Sequence, residues 1–186
     1  MIQVYDDVFD YEYHAHAWRI VTNSFFSLGW QDEDRLGGSQ YVNLHSVYSD
    51  DDMKKLMLLD KLEDSPLKKY IDGKRLLNCV VNLNIAGQTF FPHIHPNADV
   101  ILFYVGLEWK REWGGETLFY SKDNKYLEKA VEYKPNRVVY HCGDIPHAVR
   151  PPTFHAPFFR FTIASIFSSN RPSVPYDTSR WVTGDG

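Results

Sequence analysis

The chain has 186 residues, 44% hydrophobic and 16% aromatic, which is enough apolar material for one domain with a real core. A formal net charge of −4 argues against nucleic acid as a partner. No apolar run reaches the length of a membrane span, and the opening MIQVYDDVFDYEYH lacks a charged-then-apolar leader pattern, so a cytoplasmic protein without membrane contact is expected.

The first 75 residues read as helix and loop. From Tyr11 to Phe26, Tyr11, Ala15, Trp18, Ile20, Val21 and Phe25 recur close to helical spacing. A loop rich in Gly, Asp and Ser follows, GWQDEDRLGGSQ. Asp50 to Leu62 reads as a second helix, with Asp51 and Asp52 near its start and Met53, Leu56, Leu59 and Leu62 at threes. Ser65-Pro66 opens a short third helix through Tyr70, with Gly73 beyond its end. The texture changes at Leu76. LLNCVVNLNI, VILFYVG, GETLFYS, RVVYH and FFRFTIASIF are short apolar runs bounded by Gly, Pro, Asn or Asp. Strands at this spacing predict a sandwich or jelly roll, and helices before strands is α+β order. The expected fold is therefore mainly β, with residues 1–75 as helical support on one sheet, 76–167 as the core and 168–186 as a turn-rich tail. Cys79 and Cys142 make no disulfide framework and suit a reducing compartment.

The chemistry concentrates in FPHIHPNADV, residues 91–100. On a strand, side chains two apart share a face, so His93 and His95 point together and a third ligand from elsewhere completes a facial set. Of the eight histidines, His14, His16 and His45 lie in the helical part; His93, His95, His141, His147 and His155 are the candidates. His147 is the best distal partner, because CGDIPHAVRPP is a turn-rich segment able to present a side chain at a barrel mouth. Imidazole is a common transition-metal ligand, yet single histidines in β proteins are more often surface or hydrogen-bonded residues.

Read in order, GQTFFPHIHPNADVILFYVGLEWKREWGGETLFYS, YKPNRVVYHCGDIPHAVRPP and FRFTIASIF resemble the prolyl 4-hydroxylase-like branch of the iron(II)- and 2-oxoglutarate-dependent oxygenases, over about Asn78 to Phe167. The resemblance implies a double-stranded β-helix, iron(II), 2-oxoglutarate as cosubstrate, dioxygen, ascorbate as a supporting reductant, and hydroxylation of a C–H bond in a prolyl peptide or a small molecule. His93 matches the first histidine of the family's H-x-D/E motif and His147 the distal one. Arg160 matches the basic residue that pairs with the far carboxylate of 2-oxoglutarate. It is expected to hold the cosubstrate rather than the fold. Thr162 shares its face by the two-residue period. Tyr104 matches an aromatic position whose hydroxyl reaches the cosubstrate, although plain core packing explains it equally. Gly114 and Gly115 are expected to turn the chain, and Trp109 and Trp113 to pack in the core or at an edge.

One position departs from the family motif. Where the family carries a carboxylate, two residues after its first histidine, this chain has His95. A three-histidine site of His93, His95 and His147, a site completed by Asp99, and a degenerate site without redox chemistry all follow from that mismatch, with strand spacing favouring His95. The rival functions are a non-catalytic jelly-roll binding module and a cupin-like three-histidine metalloenzyme that does not use 2-oxoglutarate.

Overall fold

The computed structural model describes residues 1–29, 44–88, 90–157 and 159–171. The loop after Gly29 and the tail beyond Arg171 fall outside them.

Asp10 starts the first helix by accepting a hydrogen bond from the Tyr13 amide at 2.7 Å. That helix, α1, spans Tyr11–Thr22 and buries Tyr13, His14, Ala17 and Val21. A capping box of Ser49 and Asp52 starts the next. The single helix expected from Asp50 to Leu62 is two: α2 (Asp50–Leu56) and α3 (Leu58–Glu63), divided at Met57 with φ of 54°. The cause is burial. Leu56 and Leu58 are both inside, but two residues apart they cannot share one stripe of a continuous helix, so the chain turns between them. A short α4 (Lys68–Ile71) follows.

The described residues also form ten strands: β1 (Ile2–Tyr5), β2 (Ser27–Leu28), β3 (Leu44–Val47), β4 (Leu76–Asn84), β5 (Ala98–Tyr104), β6 (Thr117–Tyr120), β7 (Leu127–Val131), β8 (Arg137–Cys142), β9 (His147–Val149) and β10 (Arg160–Ser168). They form a seven-stranded sheet ordered β1-β8-β5-β10-β4-β3-β2 and a three-stranded sheet ordered β7-β6-β9. All the pairings are antiparallel. This is the mainly β jelly roll that the strand spacing predicts. The reading missed β1, β2, β3, β7 and β9. Three of these come from the first 75 residues and extend the edges of the large sheet, so that region supplies strands as well as helices. β7 reads LEKAV, largely exposed, with too little apolar content to stand out.

The large sheet has two different faces. Outward, Val81, Leu83, Ile101, Phe103, Val138, Phe161 and Ile163 pack with helix residues such as Ala17, Val21, Leu56 and Leu62. Inward, Leu102, Tyr104 and Val139 pack with Phe119, Val131 and Tyr133. Every residue of β5 is buried, because both its faces are covered.

Candidate metal and cosubstrate site

His93 and His95 do not lie on a regular strand. They sit in the connection from β4 to β5, and the shared-face argument that paired them needed a strand. Backbone bonds do the work instead. The His93 and His147 backbones exchange two hydrogen bonds of 3.0 Å each, and the His95 amide donates to the Gly143 carbonyl at 2.8 Å. Gly143 is required there by contact: a Cβ on it would collide with the His95 carbonyl oxygen and lie 2.8 Å from that of Ala98. Residue 143 thereby lets two loops close to backbone distance, and three rings converge. The centroids of His93 and His147 are 4.4 Å apart, and that of His95 lies 5.1 Å from His93 and 5.3 Å from His147.

One ligand nitrogen from each of His93, His95 and His147 lies within 4.8 Å of the other two. The other ring nitrogens are anchored behind them. Nδ1 of His147 donates to the Ile145 carbonyl at 3.0 Å and Nδ1 of His93 to that of Phe91 at 3.4 Å, which turns each Nε2 inward. Burial, with the neighbouring imidazoles adding to it, pushes His95 down to about 3 and His147 well below the ordinary histidine range. Both rings are thus neutral, the form that ligates a metal.

Asp99 is not brought to this cluster. It alternates on β5 with the inward Val100 and Leu102, so it faces the helices. Its carboxylate accepts from Lys74 Nζ at 2.7 Å and from the Tyr140 hydroxyl at 3.1 Å, and pairs with Arg171 at 3.1 Å. The alternative of Asp99 as third ligand is corrected by this placement. His155 is exposed in the loop before β10, apart from the three.

The cavity inside the barrel measures about 90 Å³. The three histidines line one part of it, with Val100, Ala164 and Ile166 along its walls and Asn84, Thr117 and Thr162 also lining it. In the ladder, Val100 pairs with His141 on one side and Ile166 on the other, while Tyr104 pairs with Thr162. Those two levels are four residues apart, roughly 13 Å along the strand. Arg160 lies beyond the second. It has no exposed surface, and no carboxylate lies within ion-pair distance of it among the described residues. Its Nε donates to the Gly115 carbonyl at 2.7 Å, one Nη to Asn84 Oδ1 at 2.7 Å and the other to Thr117 Oγ1 at 3.2 Å. Its guanidinium sits 5.4 Å from the Tyr104 ring centroid and 5.0 Å from that of Tyr133. Burial lowers its pKa, but guanidinium remains charged in proteins. Three of its five donors are used by protein atoms.

Tyr104 is buried; its hydroxyl donates to Thr117 Oγ1 at 2.6 Å and its ring stacks on Tyr133. Thr162 is buried beside it. Gly114 and Gly115, with φ of 70° and 87°, make the expected turn, and that turn also aims the Gly115 carbonyl at Arg160. Trp109 and Trp113 pack edge to face, and Trp109 lies over Tyr133. The expectation that Arg160 serves only a ligand needs correction, since the residue also ties β10 to Gly115, Asn84 and Thr117. Asn84, Thr117 and Tyr133 were not singled out in the sequence. The signal for Asn84 was its two-residue spacing from Asn82, between the apolar Val81 and Leu83.

No family model matches the chain, and no curated protein sequence does. Solved structures do match. A prolyl hydroxylase from Trichoplax adhaerens, in complex with a hypoxia-inducible-factor degradation-domain peptide, superposes with a TM-score of 0.66 at 14% identity, covering 90% of this chain and 83% of that one. An oxidoreductase of the 2OG-Fe(II) oxygenase family from Burkholderia pseudomallei gives 0.67 at 12% identity, covering 92% and 87%. HygX from Streptomyces hygroscopicus, with nickel and 2-oxoglutarate bound, gives 0.66 at 11% identity, covering 92% and 84%. The chain has the fold of the 2-oxoglutarate/iron(II) oxygenases, prolyl hydroxylases included. Among the described residues, no helix is long and apolar enough to cross a membrane.

Two substitutions separate the site from its frame. Gly143→Ala forces His95 away from β8 and should cut the affinity for zinc(II), a redox-inert probe, by at least tenfold, read by calorimetry. Asp99→Ala leaves Lys74 buried without its partner and should cost about 3 kcal/mol in urea denaturation, the lower end for a broken buried pair. Zinc affinity should stay at the wild-type level, and its loss would return Asp99 to the ligand set.

Proposed function

We propose that the protein is an iron(II)/2-oxoglutarate-dependent dioxygenase that hydroxylates a C–H bond of a peptide or small molecule. The observation that carries this reading is a pairing. One cavity presents three convergent imidazoles together with residues that hold a fully buried arginine, and no carboxylate pairs with that arginine among the described residues. A lone buried cation is costly unless something anionic answers it. A dicarboxylate able to span from the histidines to Arg160 is such a group.

His93, His95 and His147 would hold the iron as a facial set, leaving positions for the 2-oxo acid and dioxygen. When bound, the metal and cosubstrate supply the oxidative chemistry: 2-oxoglutarate and dioxygen give succinate and carbon dioxide, and the second oxygen atom enters the substrate C–H bond. The chain's own residues position and shield. Arg160 offers its spare donors to the far carboxylate, with the Tyr104 and Thr162 hydroxyls beside it. Val100, Leu102, Ala164 and Ile166 exclude water along the cavity. Ascorbate would serve as reductant. The Trichoplax enzyme is bound to a peptide, and HygX has also been seen with hygromycin B. The same two classes, a prolyl peptide and a small polar molecule, are the substrates to test.

The rival reading is a cupin-like three-histidine metalloenzyme without 2-oxoglutarate. Succinate release from 2-oxoglutarate with iron(II) and ascorbate decides between them. The first reading expects release that depends on both; a metal-loaded protein that leaves 2-oxoglutarate intact supports the second. A protein that binds neither is a binding module.

Each of His93→Ala, His95→Ala and His147→Ala should abolish stoichiometric metal binding at micromolar concentration, whereas His95→Asp should retain iron as a two-histidine, one-carboxylate set. Full metal affinity in the alanine variants would remove the assignment. Arg160→Lys keeps the cation but loses the fork. It should weaken 2-oxoglutarate binding by about 2 kcal/mol, roughly thirtyfold, with zinc affinity intact. Unchanged binding of 2-oxoglutarate would make Arg160 purely structural.

A further inference from the structure

A fourth histidine faces the same cavity. His141 lies on β8, inward beside Val139, with no exposed surface. Its ring centroid is 4.4 Å from that of His147 and 5.1 Å from that of Phe119, which it meets nearly edge-on. Its Nδ1 lies 3.0 Å from the Cys142 carbonyl. A carbonyl only accepts, so the proton is on Nδ1 and Nε2 carries a lone pair. That Nε2 is buried and has no hydrogen-bond partner among the described residues. A buried acceptor left unmatched is uncommon in native folds and calls for an explanation. His141 is also not one of the three histidines whose ligand atoms lie mutually within 4.8 Å, so it does not complete the same ligand set.

We infer that His141 is a positioning residue of the site, acting outside the ligand set: its Nε2 accepts a hydrogen bond from a water molecule held in the cavity against the histidine cluster. The cavity, about 90 Å³, has room for a water, and Asn82, Thr117 and Thr162 supply polar walls.

This inference rests on the reading of His93, His95 and His147 as a metal site, and its test separates the two. Histidine-selective 15N NMR of the wild-type protein, titrated with zinc(II), reports the protonation and ligation of each ring nitrogen. The expected result is metal-ligand shifts on one nitrogen each of His93, His95 and His147. His141 should keep a protonated Nδ1 and show an Nε2 shifted as a hydrogen-bond acceptor. His141→Phe should weaken zinc binding by about tenfold, the lower range for losing a supporting partner of a metal site. His141→Gln, which restores an acceptor, should recover most of that loss. A metal-ligand shift on His141 Nε2, a free Nε2 without a hydrogen bond, or wild-type zinc affinity in a folded His141→Phe protein would each overturn the inference and leave the three-histidine site standing. Absence of zinc binding by the wild type would overturn both. Should His141→Phe fail to fold, the wild-type spectra and His141→Gln still decide.

Discussion

The two-residue alternation of β4, β5, β8 and β10, with both faces of the sheet covered, is the constraint on which the rest of the molecule depends. Each residue of these strands must serve either the helix-packed outer face or the barrel interior. Val81, Leu83, Ile101, Phe103 and Ile163 take the first. Asn82, Asn84, Leu102, Thr162 and Ala164 take the second and line the cavity. Nothing on β5 is left for solvent. A shift of one residue in any of these strands would exchange the apolar set for the polar one. The helices, whose buried faces are mainly apolar, would then meet asparagine and arginine. Packing by the helices therefore fixes the register, and the register delivers Arg160, Thr162 and His141 to one interior.

Charge inside that interior follows from the same division. Asp99 is on the outer face, where Lys74, Tyr140 and Arg171 satisfy it. Among the described residues, the cavity lining then holds imidazoles, hydroxyls and amides, with the buried Arg160 guanidinium beyond them. A divalent metal on three imidazoles would keep its full charge, one unit more than on two imidazoles and a carboxylate. With Arg160 added, a metal-loaded cavity would attract a dianion strongly. The cost of burying Arg160 is eased by the Gly115 carbonyl, Asn84, Thr117 and the two flanking tyrosine rings. That arrangement holds the cation in place before any ligand arrives.

Much of this was legible in the sequence, and what was missed has definite causes. Apolar runs bounded by turn residues mark the jelly-roll strands, and His93, His95, His147, Arg160, Thr162 and Tyr104 stand out within them. The geometric argument for His93 and His95 did not survive in its original form, since their convergence comes from backbone bonds to Gly143 and His147 rather than from a shared strand face. Bonds between segments some fifty residues apart leave no trace in local spacing. Asn82 and Asn84 alternate with apolar residues, and polar positions on a strand ordinarily face water; here the polar face is the inside. Thr117 and Tyr133 gain their roles from Arg160 across the barrel, and a partner that distant cannot be read from a propensity or a period.

The replacement of a carboxylate by His95 is best understood together with His141 and Gly143. An imidazole is bulkier than a carboxylate and must be buried neutral, which here pushes His95 down to about 3. To hold it, the chain brings the His95 backbone against Gly143, the residue that follows β8 and has no side chain. The strand that accommodates His95 thus also presents His141 two residues earlier, on its inward face and level with Val100. His95, the close glycine and the extra histidine are three aspects of one local packing solution. A change that restored a carboxylate at position 95 would not simply return the site to the family pattern. It would place an anion in a cavity where His141, two residues before Gly143, presents a lone pair rather than a proton, so the charge of the cavity would change together with the shape of residue 95.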